Sequence, residues 1–323
     1  MASQQPPAFR NQSRSGLFRR TPPAIFPPVM GLFGLGLAWR RGAEAAGLPG
    51  GLAEALLGGV TLIYAFALLA YLAKVARRPG VVAEDLRILP GRAGLAAANL
   101  SGMLLAAVLV PYAPGLALAV VALAIVLHVA LGAAVLRLFL TGPEEARVIT
   151  PVWHLTFVGY ILAPLSLIPL GHAGLSQGIL YATIPVAAAI WAVSLRQIAT
   201  RIPPAPLRPL LAIHLAPASL FATVSAMLGL PGLSTGFAVL AGLILLVLLA
   251  GARWITAAGF SALWGAFTFP LAACTSAWLA AGWAVPGLIL LAGATGVVLP
   301  IAFRVMQAWA KGGLAIKTNA ATA

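Results

Sequence analysis

Six acidic side chains in 323 residues leave this chain almost without the groups from which hydrolases, metal sites and proton relays are built. They are Glu44, Glu54, Glu84, Asp85, Glu144 and Glu145, and only Glu54 falls near an apolar run. No two histidines stand at i, i+4 and no nucleophile has a base in reach, so an enzyme is not expected, nor a metal or any other cofactor. Cysteine is scarcer still. The single Cys274 rules out an intrachain disulfide and a thiolate cluster. Charged residues of both signs make up 8% of the chain and apolar ones 61%, a balance that no water-soluble domain of this size carries on its surface. The sequence is that of an integral membrane protein.

The scarcity of acids leaves a net charge of +14. The basic residues come in ones to fours between long apolar runs, without a basic helix face or a basic-aromatic motif, so nucleic acid is not a partner. No P-loop interrupts the runs either, which excludes nucleotide-driven transport by this chain alone. Arg10, Arg14, Arg19 and Arg20 precede the first apolar run in the manner of a signal peptide, but that run ends in Ala38-Trp39-Arg40-Arg41 rather than at a cleavage site. It reads as a retained span.

Runs long enough to cross ~30 Å of hydrocarbon number ten. They cover 24–40, 52–76, 92–111, 115–140, 151–171, 175–199, 208–229, 233–254, 260–281 and 285–307. The two tails and the four even gaps hold 18 of the 20 Lys and Arg, whereas the odd gaps hold only Arg40 and Arg41. By the positive-inside rule both termini are cytoplasmic. The fold class expected is therefore an all-α integral membrane protein of ten transmembrane helices, arranged as five helical hairpins around a central pore. Residues 1–23 form a cytoplasmic N-terminal tail, 24–308 the channel domain and 309–323 a cytoplasmic C-terminal tail.

Prolines mark which spans face inward. Pro27 and Pro28, Pro164, Pro217 and Pro270 interrupt odd spans, while span three offers Asn99, Ser101 and Gly102. A proline lacks the N–H and crowds the carbonyl one turn back, and backbone groups freed in this way suit a wet lumen better than lipid. The odd spans are placed around the pore on that ground. The stretch Trp264–Trp278 stands out, since Pro270 predicts a broken helix there, preceded by the bulky Phe269 and flanked by Thr268 and Thr275, whose hydroxyls are offered to the freed backbone or, as pore-lining groups, to a solute. His154 and His214 fall within two turns of the inner surface, where they line a vestibule or bond a neighbouring helix. Glu54 is read as a solvated residue at the outer end of span two.

Three stretches resemble one family. Phe26-Pro27-Pro28-Val29-Met30-Gly31-Leu32-Phe33-Gly34 through Arg40 is similar to the first span of the tellurite-resistance/dicarboxylate transporter family, which includes tellurite-resistance proteins, yeast malate transporters and plant slow-type anion channels. Leu207-Arg208-Pro209 through Pro217 is similar to its seventh span, and Trp264 through Ala272 to its ninth. The resemblance implies a homotrimer, each protomer with its own pore of five inner helices closed by a ninth-span phenylalanine, here Phe269. The function it implies is an anion channel or facilitative anion carrier in the cell inner membrane, passing halide, nitrate, carboxylate or oxyanion. A proton-coupled exporter of C4-dicarboxylates, tellurite or sulfite is the alternative.

Overall fold

A computed structural model describes residues 16–142 and 147–323, and within them every regular element is helical. Most of the tail expected over 1–23, and the acidic pair Glu144 and Glu145, lie outside the described residues. The chain opens with α1 (Phe26–Ala46), α2 (Gly51–Arg77), a short α3 (Val81–Arg87), α4 (Leu89–Leu109) and α5 (Pro114–Thr141). A broken segment follows, made of a π-helical turn over His154–Val158, a 3-10 turn over Gly159–Leu162 and α6 (Pro164–Leu167). After α7 (Ala173–Thr200), a 3-10 stretch, Ala205–His214, runs directly into α8 (Leu215–Met227). The remainder is α9 (Pro231–Ala250), α10 (Ala252–Ile255), α11 (Gly265–Ala280), α12 (Ala284–Ala310) and α13 (Gly313–Lys317).

Among the described residues, eight helical segments are long and apolar enough to cross a membrane. The two expected spans outside that set are α1 and the broken segment. α1 has the length, but it continues past residue 40 through Arg40, Arg41 and Glu44. Of these charges Arg40 is paired with Glu54 of α2 at 2.7 Å. The broken segment is apolar, yet its irregular turns leave it short as a helix. The connections after α1, α6, α8 and α11 turn on Gly47, Gly171, Gly229 and Gly282, all with positive φ, so the chain reverses within a few residues.

Burial divides the helices into two kinds. More than half of the most apolar stretch is buried in α4, in Ala205–Met227 and in Ala262–Ala280, against a third or less in α2, α5, α7, α9 and α12. Each of the latter buries one stripe at alternating spacings of about three and four. Leu57, Val60, Tyr64, Ala67 and Tyr71 form it on α2, and Leu291, Ala294, Val298, Ile301 and Val305 on α12. Their other faces expose large apolar side chains such as Leu62, Phe66, Leu246 and Val247. That surface is stable against lipid, not water. Contacts run in a closed circuit from α1 to α4, to the broken segment, to α8, to α11 and back to α1.

Beyond the ring, one buried ion pair ties α2 to α3. Lys74 and Asp85 are both fully buried, with Nζ 2.8 Å from Oδ2. Tyr71 donates to the same carboxylate, the backbone N–H of Ala321 donates to its other oxygen, and Lys74 also donates to the carbonyl of Thr21. Every oxygen and the ammonium thus find partners, as two desolvated charges require.

Candidate functional site

A single face of α1 carries Pro27, Met30, Gly34, Leu37, Arg41 and Glu44, spaced alternately by three and four, and all six line internal cavities. α4 repeats the pattern with Pro90, Ala93, Ala97, Leu100, Leu104 and Ala107, and α11 with Ala266, Phe269, Ala273 and Ser276. Leu210, Ile213, Ala216, Leu220 and Thr223 contribute from the stretch leading into α8, and Leu155, Val158, Leu162 and Leu165 from the broken segment. The five elements of the contact circuit thus turn one stripe each toward a common interior.

That interior holds three cavities in series. The one beside Pro27 and Pro90 has a volume of about 40 Å³ and only apolar side chains on its walls. The middle one, between Met30, Leu100, Val158 and Ile213, has about 20 Å³, room for roughly a single water. The third, on the Arg41 and Glu44 side, has about 300 Å³. Among the described residues Phe269 alone borders all three. Its side chain is 5% exposed and its ring lies against Gly34 of α1, where the missing Cβ admits it. A larger recess beside Phe18, Phe66 and Trp309 is on the outside of the ring and shares none of these stripes.

The expected kink prolines hold different positions. Pro27 is the second residue of α1, Pro164 the first of α6 and Pro217 the third of α8. Each stands in the first turn of an α-helix that follows a 3-10 turn, so the change of backbone falls just ahead of the proline, where its missing N–H costs no α-helical bond. Pro270 lies inside α11, which is one continuous helix from Gly265 to Ala280, so the break expected in Trp264–Trp278 is not present. Irregular backbone occurs instead at His154–Leu162 and Ala205–His214. Pro27 and Pro270 line the first cavity and Pro217 the middle one.

Thr268 and Thr275 do not line the interior. Thr268 is fully buried against α1, donating to the carbonyl of Gly265 at 2.7 Å with Oγ1 also 3.2 Å from the carbonyl oxygen of Pro27. Thr275, equally buried, donates to Leu271 on its own helix. Seven residues apart, both lie on one face of α11, about 100° round from Phe269. The hydroxyls on the cavity walls are those of Thr223 and Ser276.

The two histidines meet each other and form no open vestibule. Nε2 of His154 is 3.0 Å from Nδ1 of His214, the rings are perpendicular, and His154 is buried at the wall of the middle cavity. Trp191 of α7 donates to the carbonyl of His214. Asn99 turns away from the interior to bond Ala124 and His128 of α5. Glu54 is held and not freely solvated, for it accepts two hydrogen bonds from Arg40 and one from Tyr112. That last bond raises the Tyr112 phenol above its ordinary value.

Arg40, Arg41 and Glu44 on the third cavity were missed in the sequence, where they read only as charges closing a span. The step from Met30 through Gly34 and Leu37 to Arg41 carried the signal. Among the described residues no three His, Cys, Asp or Glu side chains group to hold a metal ion, and Cys274 is buried and free.

Comparison with known proteins adds the family. No curated protein matches the chain. The family model described as voltage-dependent anion channel matches residues 20–308, which takes in α1 through most of α12. With its apolar helices, this multi-pass membrane chain belongs to the voltage-dependent anion channel family, whose members are channels and transporters of anions.

Proposed function

We propose that this protein is an anion channel or facilitative anion carrier of the cell inner membrane, with small anions passing through the ring interior and Phe269 closing the path. The observation that carries the reading is the position of that ring at the junction of all three cavities, with a middle volume too small for a hydrated anion. An apolar constriction blocks by filling volume and by dewetting. The α1 and broken segments complete ten spans, paired as five hairpins, over 24–308. The 18-to-2 division of basic residues puts both termini in the cytoplasm. A homotrimer with one pore per protomer follows from the family resemblance. A monomer by light scattering in mild detergent overturns that assembly.

One observation favours the second reading, a proton-coupled exporter of C4-dicarboxylates, tellurite or sulfite. His154 lies at the wall of the middle cavity and is hydrogen-bonded to the half-buried His214, so an ionisable pair adjoins the path. Reconstitution in liposomes decides between the two. A channel produces anion currents that reverse at the anion equilibrium potential without a pH gradient. Uptake that requires an imposed proton gradient overturns the channel reading.

A further inference from the structure

The third cavity contains two adjacent arginines in different circumstances. Arg40 is occupied, with Nε and Nη2 donating to the two oxygens of Glu54 at 2.7 and 2.8 Å. Arg41 is not. Among the described residues its guanidinium makes one hydrogen bond, from Nη2 to the sulfur of Met227 at 3.3 Å, and a thioether is a weak acceptor. The planar fork keeps most of its N–H donors and its full charge in a half-buried recess.

The surroundings leave the fork without a direct carboxylate partner, though the field of Glu44 opposes an incoming anion. Glu44, one turn farther along α1, lines the same cavity but is exposed and makes no ion pair with Arg41. Ser276 of α11 lines it too, and among the described residues its hydroxyl has no partner. The walls contributed by Leu37, Leu104, Leu165 and Leu220 are apolar, so a charge here is less screened than at an open surface. An arginine fork matches an acceptor with two coplanar oxygens, one on each arm, whereas a spherical halide must share its single atom between two diverging N–H groups.

We propose that Arg41, assisted by Ser276, is a binding site for a planar oxyanion, a carboxylate or nitrate, held in the wide cavity before it meets Phe269. The inference rests on the pore assigned above and adds to it the class of anion preferred. With about 300 Å³ available, such an anion fits together with several waters.

Nitrate is the probe, and its binding to the purified protein is measured by calorimetry beside that of chloride. The permeability ratio of the two anions is measured separately in liposomes. Wild type is expected to bind nitrate more tightly than chloride. Arg41→Gln weakens nitrate at least about tenfold and abolishes the preference, as loss of a charge-assisted pair of hydrogen bonds requires. Arg41→Lys retains chloride binding and loses the preference for nitrate. Glu44→Gln removes the opposing charge with the fork intact and tightens nitrate, which decides the matter even if the arginine variants do not fold. Nitrate affinity unchanged in Arg41→Gln, or not improved in Glu44→Gln, overturns the site. Liposomes of wild type that pass no anion overturn the channel instead, since calorimetry reads binding without flux.

Discussion

The ring of Phe269 fills the space that a side chain on Gly34 would need, since a Cβ at that glycine would meet Cδ2 of the ring at 2.9 Å and Cε2 at 3.1 Å. Gly31, one turn earlier on α1, makes the same allowance for Thr268. Two glycines three residues apart thus let α1 and α11 approach closely where the interior is narrowest, the use to which small residues are put between membrane helices.

Removing the ring tests the constriction. Phe269→Ala is expected to raise anion conductance several-fold, because the volume it clears joins the cavities on either side. Phe267→Ala is the control, since that ring packs edge-on against Trp264 at 5.6 Å and borders none of the three cavities. Recordings at matched protein levels decide it. Equal or lower conductance in Phe269→Ala means that the ring only packs.

Adding a methyl group from the other side tests the contact itself. Gly34→Ala should cost about 1–3 kcal/mol through overpacking, and the cost should fall in the Phe269→Ala background to what the remaining contact with Cβ of Ala272, at 3.2 Å, imposes. Thermal unfolding of the four proteins in one detergent supplies the cycle. Additive effects would show that the two residues do not share the space.

The paired histidines carry a prediction about stability. One ring nitrogen must donate and the other accept, so His214→Leu strands Nε2 of His154 in a buried site, at a cost of about 1–3 kcal/mol. Replacing both residues by leucine removes donor and acceptor together and should restore much of the loss. A double variant less stable than the single would count against the hydrogen bond. If the pair also moves protons, the double variant loses any dependence of transport on a pH gradient.

The ion pair between α2 and α3 should behave unlike its exposed neighbour. Asp85→Ala leaves the Lys74 ammonium buried without its counter-ion and should cost about 3–5 kcal/mol, whereas Lys74→Met with Asp85→Leu should be far milder. Glu84→Gln, which breaks the exposed bond to Arg78, should hardly change the unfolding temperature. The Arg78 guanidinium holds the Glu84 carboxyl below its ordinary value. Whatever stability that pair adds is present at neutral pH and lost as the pH falls through the lowered value. Calorimetric scans of the variants check all three statements.

Membrane residence, the all-helical fold and the family were legible in the residues, because lipid imposes a composition and a run length that no packing detail can disguise. The ends of the long helices were nearly as plain, since prolines open several of them and glycines close the short turns. Phe269 stood out through its neighbours Thr268 and Pro270.

Other features depended on which face each helix turns inward, and local sequence does not express that. Thr268 and Thr275 carry hydroxyls that suit a lumen, yet an angular step of about 100° puts them against neighbouring helices and not on the cavity wall. Pro270 has the chemistry of a breaker, but α11 begins only five residues earlier and continues through it. The His154 and His214 pair joins residues 60 apart, and Arg41 acquires its character from Met227 and from Glu54, which occupies Arg40 and, among the described residues, leaves Arg41 without a carboxylate partner. Hydrophobicity selects the solvent for each residue from its own composition, whereas hydrogen-bond partners and cavity walls are set by distant segments that meet only when the ring of helices closes.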